Sequence, residues 1–151
     1  MKNLLIATLL VCFSNISYSQ GWSLVWEDDF SGTTLDQTIW THDLGTGSQY
    51  GLWGWGNGEL QFYQAGNTEV SNGTLKIVAK EEPGGLVDSW GNTMYYSSSK
   101  IKTENKFEVK YGKIEARIKT VNGEGFWPAV WMLPSGGAGP CDGEIDIMEQ
   151  W

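Results

Sequence analysis

Disulfide bonds cannot be the main support of this fold, because the 151 residues contain only two cysteines, Cys12 and Cys141. Cys12 lies in an N-terminal segment that we expect to be cleaved off. The remaining thiol then has no second cysteine to pair with, so no intramolecular disulfide can form. A packed core must therefore stabilise the mature chain.

Long apolar runs are also absent. The main apolar segment, from Leu4 to Phe13, is shorter than the roughly 20 residues that a membrane-spanning helix needs. It follows Lys2 and precedes small residues, which is the order of a secretory signal peptide. We therefore predict a signal peptide over residues 1–19 and a secreted or periplasmic protein. Lipid attachment at Cys12 is a weaker alternative, because a valine precedes it where a small residue is needed.

Basic residues are scarce. The chain has 10 Lys and Arg against 18 Asp and Glu, a formal net charge of −8. Removing the leader with Lys2 leaves 9 − 18 = −9. Such a balance argues against nucleic acid or an anionic membrane surface as a partner, and weakly against strongly anionic substrates. We expect a monomer whose partner is its substrate.

A sustained helical period is missing as well, while Trp occurs nine times and Gly 20 times. Short alternating runs are joined by turn residues, and Asn72-Gly73 between two such runs is a strong hairpin signal. We also expect strands at Ser23–Glu27, Lys106–Lys110 and Lys113–Lys119, and a polar connection over residues 81–99. Short strands joined by turns predict an all-β sandwich.

The mature chain contains no internal repeat and no domain linker. A β-sandwich commonly runs to roughly 200–250 residues as one domain, whereas this sequence stops two residues after Glu149. We therefore expect residues 20–151 to be the N-terminal portion of one domain, truncated at its C-terminus. We also expect this portion to be unstable or to aggregate on its own.

An acidic motif occupies residues 143–149. In a β-strand, Glu144 and Asp146 would point to one face while the isoleucines between and after them point to the other. The next carboxylate, Glu149, arrives one residue too late for this alternation. A β-bulge around Ile147-Met148 would let two residues count as one and return Glu149 to the acidic face, and bulges are enriched beside active sites.

Three carboxyls crowded on one face raise at least one carboxyl pKa. One carboxyl can then act as an acid while a neighbour stays ionised, which is the requirement of retaining glycoside hydrolysis. A calcium-binding site, or an acidic edge strand that resists aggregation, would also account for such a cluster.

Aromatic residues are concentrated in two segments, a Gly-rich stretch from Gly45 to Gly58 and the apolar run Phe126–Leu133. Loops of the first kind commonly carry binding groups. Exposed Trp and Tyr rings can stack against the apolar faces of sugars, although several must belong to the core. We interpret the Gly45–Gly58 stretch as a wall of a substrate cleft.

The sequence resembles a known family, the family 16 glycoside hydrolases, and within it the laminarinase-like endo-β-1,3-glucanases. The motif at residues 143–149 is the most specific part of the resemblance, being similar to the bulged form of the family's catalytic motif. The matching segments follow in family order through the mature chain: Leu24–Phe30, Asn57–Tyr63, Tyr111–Arg117, Gly125–Leu133 and Gly143–Glu149.

The resemblance implies a concanavalin A-like β-jelly-roll with an open cleft, and a retaining mechanism. By match to the motif, Glu144 is expected to be the nucleophile and Glu149 the general acid/base. Asp146 is expected to tune the charge and orientation of the pair. The family's C-terminal half is absent from this sequence.

The resemblance also implies binding residues. Asn57, Trp127 and Trp131 match cleft positions that hold sugars, although strand alternation leaves Trp131 equally open to a core position. Asp29 matches a position near a structural calcium site in some members. Lys100 departs from the family, which often has Arg at this place, and the change would alter a subsite contact.

These expectations together predict a secreted endo-glycosidase that cuts internal β-1,3 bonds of laminarin-type glucans and needs no metal or organic cofactor for its chemistry. Other substrates within the family remain open, namely agar, carrageenan and mixed-linkage glucan, because loops set substrate choice. A non-catalytic carbohydrate-binding jelly roll and an inactive fragment are the alternatives from other classes.

Overall fold

The computed structural model describes residues 21–137 and 141–150, so the predicted signal peptide lies outside the described residues. This part of the chain is all-β. Its three 3₁₀-helices have only three or four residues each, so none of the described helices is long enough to cross a membrane. The strands are β1 (Thr41–Asp43), β2 (Gln61–Tyr63), β3 (Thr68–Ser71), β4 (Thr74–Ile77), β5 (Lys80–Val87), β6 (Thr93–Ser98), β7 (Lys100–Lys102), β8 (Ala129–Met132) and β9 (Ile145–Glu149).

The strands form four small sheets. β1 pairs with β7, β3 with β4 and β8 with β9, all antiparallel, while β6 lies between β5 and β2 in a three-stranded sheet. The β2–β6 pair is parallel. The hairpin predicted at Asn72-Gly73 is confirmed: it joins β3 to β4, and the two residues have φ values of 52° and 67°. Positive φ at both central positions is what a two-residue turn of this type requires.

The prediction that residues 81–99 are a polar connection between strands is wrong. Most of this segment belongs to β5 and β6, which pair antiparallel on either side of a turn. Pro83-Gly84-Gly85 is typical of a loop, but the register shifts between Glu81 and Leu86 and so accommodates these residues inside β5. Strands tolerate Pro and Gly at such irregular positions.

The predicted strands at Ser23–Glu27, Lys106–Lys110 and Lys113–Lys119 are also wrong, since none of the three segments forms a ladder. Their alternation indicates sheets with one buried face. In the structure, however, Ile114 is 45% exposed and Ile118 39%. Without a strand beside it and a layer below it, an alternating segment gains neither ladder hydrogen bonds nor burial.

Polar contacts hold the Gly45–Gly58 stretch against the β5–β6 turn. Buried Thr46 donates a hydrogen bond to Asp88 Oδ2 at 2.9 Å, and the hydroxyls of Ser48 and Ser89 are 2.6 Å apart. Asp88 also accepts from two backbone N–H groups of the turn. Burial alone would raise the pKa of this carboxyl, but the hydrogen bonds that it accepts outweigh burial and lower the pKa. Because these contacts are buried and paired, they fix the loop that carries Trp53 and Trp55.

Candidate active site

Strand β9 contains the predicted bulge. Met148 lies opposite Val130 of β8, and Asp146 lies opposite Trp131. Asp146 and Met148 are two residues apart on β9, but their partners on β8 are adjacent in sequence. Ile147 is therefore the additional residue of the bulge. The prediction of a β-bulge around Ile147-Met148 is confirmed, and the bulge bends the strand at the acidic motif.

The bulge places carboxylates on one face of the β8–β9 ladder. Directly opposed residues of an antiparallel pair point to the same side, so Asp146 shares a face with Trp131, and Glu149 shares it with Ala129. Glu144 comes immediately before β9, and strand alternation places it on the same side as Asp146, two residues on. We call this side of β8–β9, with Glu144, Asp146 and Glu149, the acid face.

The ionisation of Glu144 is shifted. Partial removal from water raises its pKa, and the negative charge of Asp146, the hydrogen bond with Asp146 and the charge of Glu149 raise it further. The ammonium of Lys100 acts in the opposite direction.

Trp127 contacts the acid face directly. Its indole Nε1–H donates a hydrogen bond to Glu149 Oε1 at 2.9 Å. The ring is 42% exposed, so one side chain both orients a carboxylate and offers a surface for a ligand. Bonds from N–H groups to a carboxylate are shorter and stronger than neutral ones.

Trp131 also lies on the acid face and is 38% exposed, so it is not a core residue. The Lys100 ammonium lies 5.2 Å from the centre of its ring. The same ammonium is 4.3 Å from the ring centre of Trp55 and 5.9 Å from that of Tyr63. We call Trp55, Tyr63 and Trp131 the aromatic cage.

The predicted binding residue Asn57 belongs to a second cluster beside the cage. Its Nδ2 donates to Glu59 Oε1 at 3.3 Å, and Gln61 Nε2 donates to Glu59 Oε2 at 2.8 Å. The hydroxyl of Tyr63 donates to the same oxygen. Burial and the charge of Glu59 raise the pKa of Tyr63, so its phenol stays protonated as a donor.

Backbone geometry makes this arrangement depend on one glycine. Gly54 has φ +51°, and a Cβ built on it would come within 2.6 Å of Glu59 N. Trp55, which follows, is itself left-handed at φ 54° and is held by a hydrogen bond from its N–H to Thr46 O at 2.9 Å. A side chain at residue 54 would therefore push Glu59 away from the Trp55 loop.

Sequence reasoning missed the roles of Lys100, Glu59, Trp55 and Tyr63 as one cluster. The sequence indicates Glu59 and Tyr63 only as part of the Asn57–Tyr63 segment that resembles the family, and Lys100 only as a departure from it. Their common signal is weak, because the aromatic cage and Lys100 join the Gly45–Gly58 stretch, β2, β7 and β8, which are far apart in sequence.

Asp29, the predicted calcium ligand, takes part in a local contact two residues along the chain. Its Oδ1 accepts a hydrogen bond from the backbone N–H of Ser31 at 3.0 Å. Bonds from Ser31 lower the pKa of the Asp29 carboxyl. Among residues 21–137 and 141–150, no three His, Cys, Asp or Glu side chains are grouped so as to hold a metal ion. The calcium site stays a prediction.

Comparisons with known proteins agree on one family. A sequence profile described as "Glycosyl hydrolases family 16" matches residues 56–151. The glucan endo-1,3-beta-glucosidase A1 of Niallia circulans is 40% identical over 136 residues, covering 85% of this chain and 20% of that protein. The beta-glucanase of Rhodothermus marinus is 39% identical over 137 residues, covering 85% of this chain and 43% of that protein.

A solved structure gives the same result for the fold. The catalytic domain of an endo-1,3-beta-glucanase (laminarinase) from Thermotoga petrophila superposes with a TM-score of 0.81 at 46% identity, covering 86% of this chain and 52% of that one. The predicted all-β jelly-roll class is confirmed. The chain spans about half of this solved structure and less than half of each of the two curated relatives.

Proposed function

The chain belongs to glycosyl hydrolases family 16, and on that premise we propose that it is the part of a secreted endo-glycosidase that carries the catalytic carboxyls, cutting internal β-1,3 bonds of laminarin-type glucans with retention of configuration. The observation that carries the proposal is the acid face, where a bulged strand presents three carboxyls beside two exposed indoles. The names of the Niallia and Thermotoga proteins support the choice of β-1,3-glucan.

In the proposed mechanism Glu144 attacks the anomeric carbon while Glu149 protonates the leaving glycosidic oxygen. The bond to the leaving group breaks and a covalent glycosyl-enzyme forms on Glu144. Glu149, now ionised, then removes a proton from water, which attacks the same carbon and releases Glu144. Asp146 lies beside Glu144 on the acid face, and its negative charge raises the pKa of the attacking carboxyl.

The indoles are proposed to hold the sugar on the acid face. Trp127 and Trp131 expose 42% and 38% of their surfaces, and pyranose rings bind to such surfaces through their apolar C–H faces. Asn57 would contribute a hydrogen bond from the neighbouring Glu59 cluster. No step requires a metal or organic cofactor, and calcium at Asp29 is proposed only as a structural ion.

The proposal is tested by hydrolysis of laminarin by the full-length gene product, with lichenan, agar and carrageenan as alternative substrates. We expect β-1,3-linked oligosaccharides from laminarin. Glu144→Gln should reduce the rate by about 10³-fold or more while keeping the carbohydrate bound. Glu69→Gln, an exposed acid on β3, is the matched control and should have no effect.

Three results would each change this conclusion. Full activity in Glu144→Gln would reject Glu144 as the nucleophile. Turnover of agar or carrageenan in place of laminarin would reject the substrate but keep the chemistry. Tight binding of laminarin by a folded wild-type protein that releases no sugar would favour the non-catalytic binding jelly roll.

A further inference from the structure

Lys100 occupies an unusual position for a lysine. It begins β7 and lies opposite Asp43 of β1 in the ladder. Its ammonium lies over the rings of the aromatic cage, at 4.3 Å from Trp55, 5.2 Å from Trp131 and 5.9 Å from Tyr63. All three distances are within the range of cation–π attraction, which is strongest for Trp and increases when the cation is desolvated.

The aromatic cage fixes a side chain that is otherwise flexible. A lysine carries its charge on a flexible four-carbon stem, and an exposed one samples many positions. Lys100 is half-buried instead. Removal from water lowers its pKa, as does the neighbouring charge of Lys102, whereas the charges of Glu59, Asp43 and Glu144 raise it. The ammonium is therefore confined to one place among carboxylates.

Two of these three carboxylates already have close donors. Asp43 Oδ1 forms an ion pair with Lys102 Nζ at 2.8 Å. Glu59 accepts hydrogen bonds from Gln61 and from the hydroxyl of Tyr63. Neither depends on Lys100 for its partner.

Glu144 is in the opposite situation, because its neighbours on β9 are the acids Asp146 and Glu149, which both disfavour its negative charge. The aromatic cage reaches the acid face at Trp131, which lies opposite Asp146. The Lys100 ammonium lies over the Trp131 ring. Its positive charge lowers the pKa of Glu144 and so opposes the effect of the two acids.

We propose that Lys100 is a positioning residue: the cage of Trp55, Tyr63 and Trp131 holds its ammonium beside the acid face, where it stabilises the negative charge of Glu144 against Asp146 and Glu149. The effect of Lys100 on the charge of Glu144 does not depend on the proposed function. Only its consequence does, namely that Glu144 stays ionised for attack on the sugar. Lys100 is assigned an action on Glu144 rather than a contact with sugar.

The experiment follows Glu144 directly in the full-length gene product. Side-chain ¹³C-labelled glutamate allows its carboxyl to be titrated by NMR, with the signal assigned by its loss in Glu144→Gln. In Lys100→Met, which has a side chain of similar length but no charge, the apparent pKa of Glu144 should rise. Lys100→Arg should restore it, and Lys76→Met, on β4 of another sheet, should leave it unchanged.

Activity adds a second readout. The acidic limb of kcat/KM on laminarin should move to higher pH by the same amount in Lys100→Met, with kcat at a pH well above the limb largely retained. A lysine with only a structural role would change activity at every pH and leave the titration of Glu144 as it was.

The outcomes separate the two proposals. An unchanged Glu144 titration in folded Lys100→Met overturns the inference, whether or not the protein is active. A shifted titration in a protein that hydrolyses no glucan supports the inference and overturns the proposed function. If Lys100→Met does not fold, Lys100→Gln and Lys100→Arg give the same comparison of neutral and charged side chains.

Discussion

At the scale of single residues, the ionisation of Glu144 is set by neighbouring charges that act in opposite directions. Partial removal from water raises its pKa, the charges of Asp146 and Glu149 raise it further, and the charge of Lys100 lowers it. As the proposed nucleophile, Glu144 must be ionised, so we expect activity to fall as the pH decreases through this raised pKa. The acidic limb of kcat/KM should therefore lie above the ordinary pKa of a glutamate.

Asp146→Asn should move that limb to lower pH. The substitution removes a negative charge beside Glu144 and supplies an amide that donates to the ionised carboxylate, and both effects lower the pKa of Glu144. The measurement is the pH profile of kcat/KM on laminarin, compared with that of the unsubstituted protein. A limb that stays in place or moves upward would contradict the coupling of Glu144 and Asp146. Glu69→Gln serves again as the control.

Trp127→Phe separates the indole N–H from the ring. The variant keeps an aromatic surface but loses the hydrogen bond to Glu149 Oε1. A hydrogen bond to a charged group contributes about 1.5–3 kcal/mol, so kcat should fall by roughly 10- to 100-fold with a smaller change in KM.

Trp90→Phe, an exposed indole in the β5–β6 turn, is the matched control and should retain activity. If Trp127→Phe instead raised KM and left kcat unchanged, the indole would serve sugar binding alone.

At the scale of elements, the sequence predicts the features that depend on local backbone chemistry. The Asn72-Gly73 hairpin and the bulge at Ile147-Met148 are both correct, because turn residues and a displaced carboxylate are visible within a few positions. The strands at Ser23–Glu27, Lys106–Lys110 and Lys113–Lys119 are wrong, because alternation cannot show whether a partner strand lies beside a segment. The aromatic cage is not predicted, since its members meet only through the tertiary fold.

The bulge itself can be tested by deletion. Removing Ile147 leaves a regular strand in which Glu144, Asp146 and Glu149 still alternate onto one face, and Glu149 stays in register with Ala129. Hydrolysis should therefore survive at a reduced rate. Removing both Ile147 and Met148 turns Glu149 to the opposite face and should cost roughly 10²–10⁴-fold, as loss of a general acid does.

Equal activity in the single and double deletions would show that the face of Glu149 does not matter. A melting curve on each variant distinguishes loss of the acid from loss of the fold.

At the scale of the whole molecule, little apolar surface is buried. Within the described residues only Leu35, Val70 and Met94 form the buried hydrophobic core. Many large apolar side chains are exposed, including Val25 at 83% and Ile145 at 64%. Apolar surface of this extent marks an interaction site or an aggregation hazard, and small cores give marginal stability.

Residues 20–151 expressed alone should therefore melt without a cooperative transition, bind the dye ANS and aggregate. The full-length gene product should melt cooperatively under the same conditions. A sharp calorimetric transition and a well-dispersed NMR spectrum from residues 20–151 would contradict this prediction.

The proposed mechanism requires Glu144 to form the bond to the sugar, and trapping that bond is the sharpest test of it. The full-length gene product would be treated with a 2-deoxy-2-fluoro laminarioligosaccharide carrying a good leaving group, digested and sequenced by mass spectrometry. We expect one added glycosyl group per protein, attached to Glu144 and absent in Glu144→Gln. Attachment to Glu149, or turnover of laminarin with no trapped sugar at any residue, would show that Glu144 is not the nucleophile.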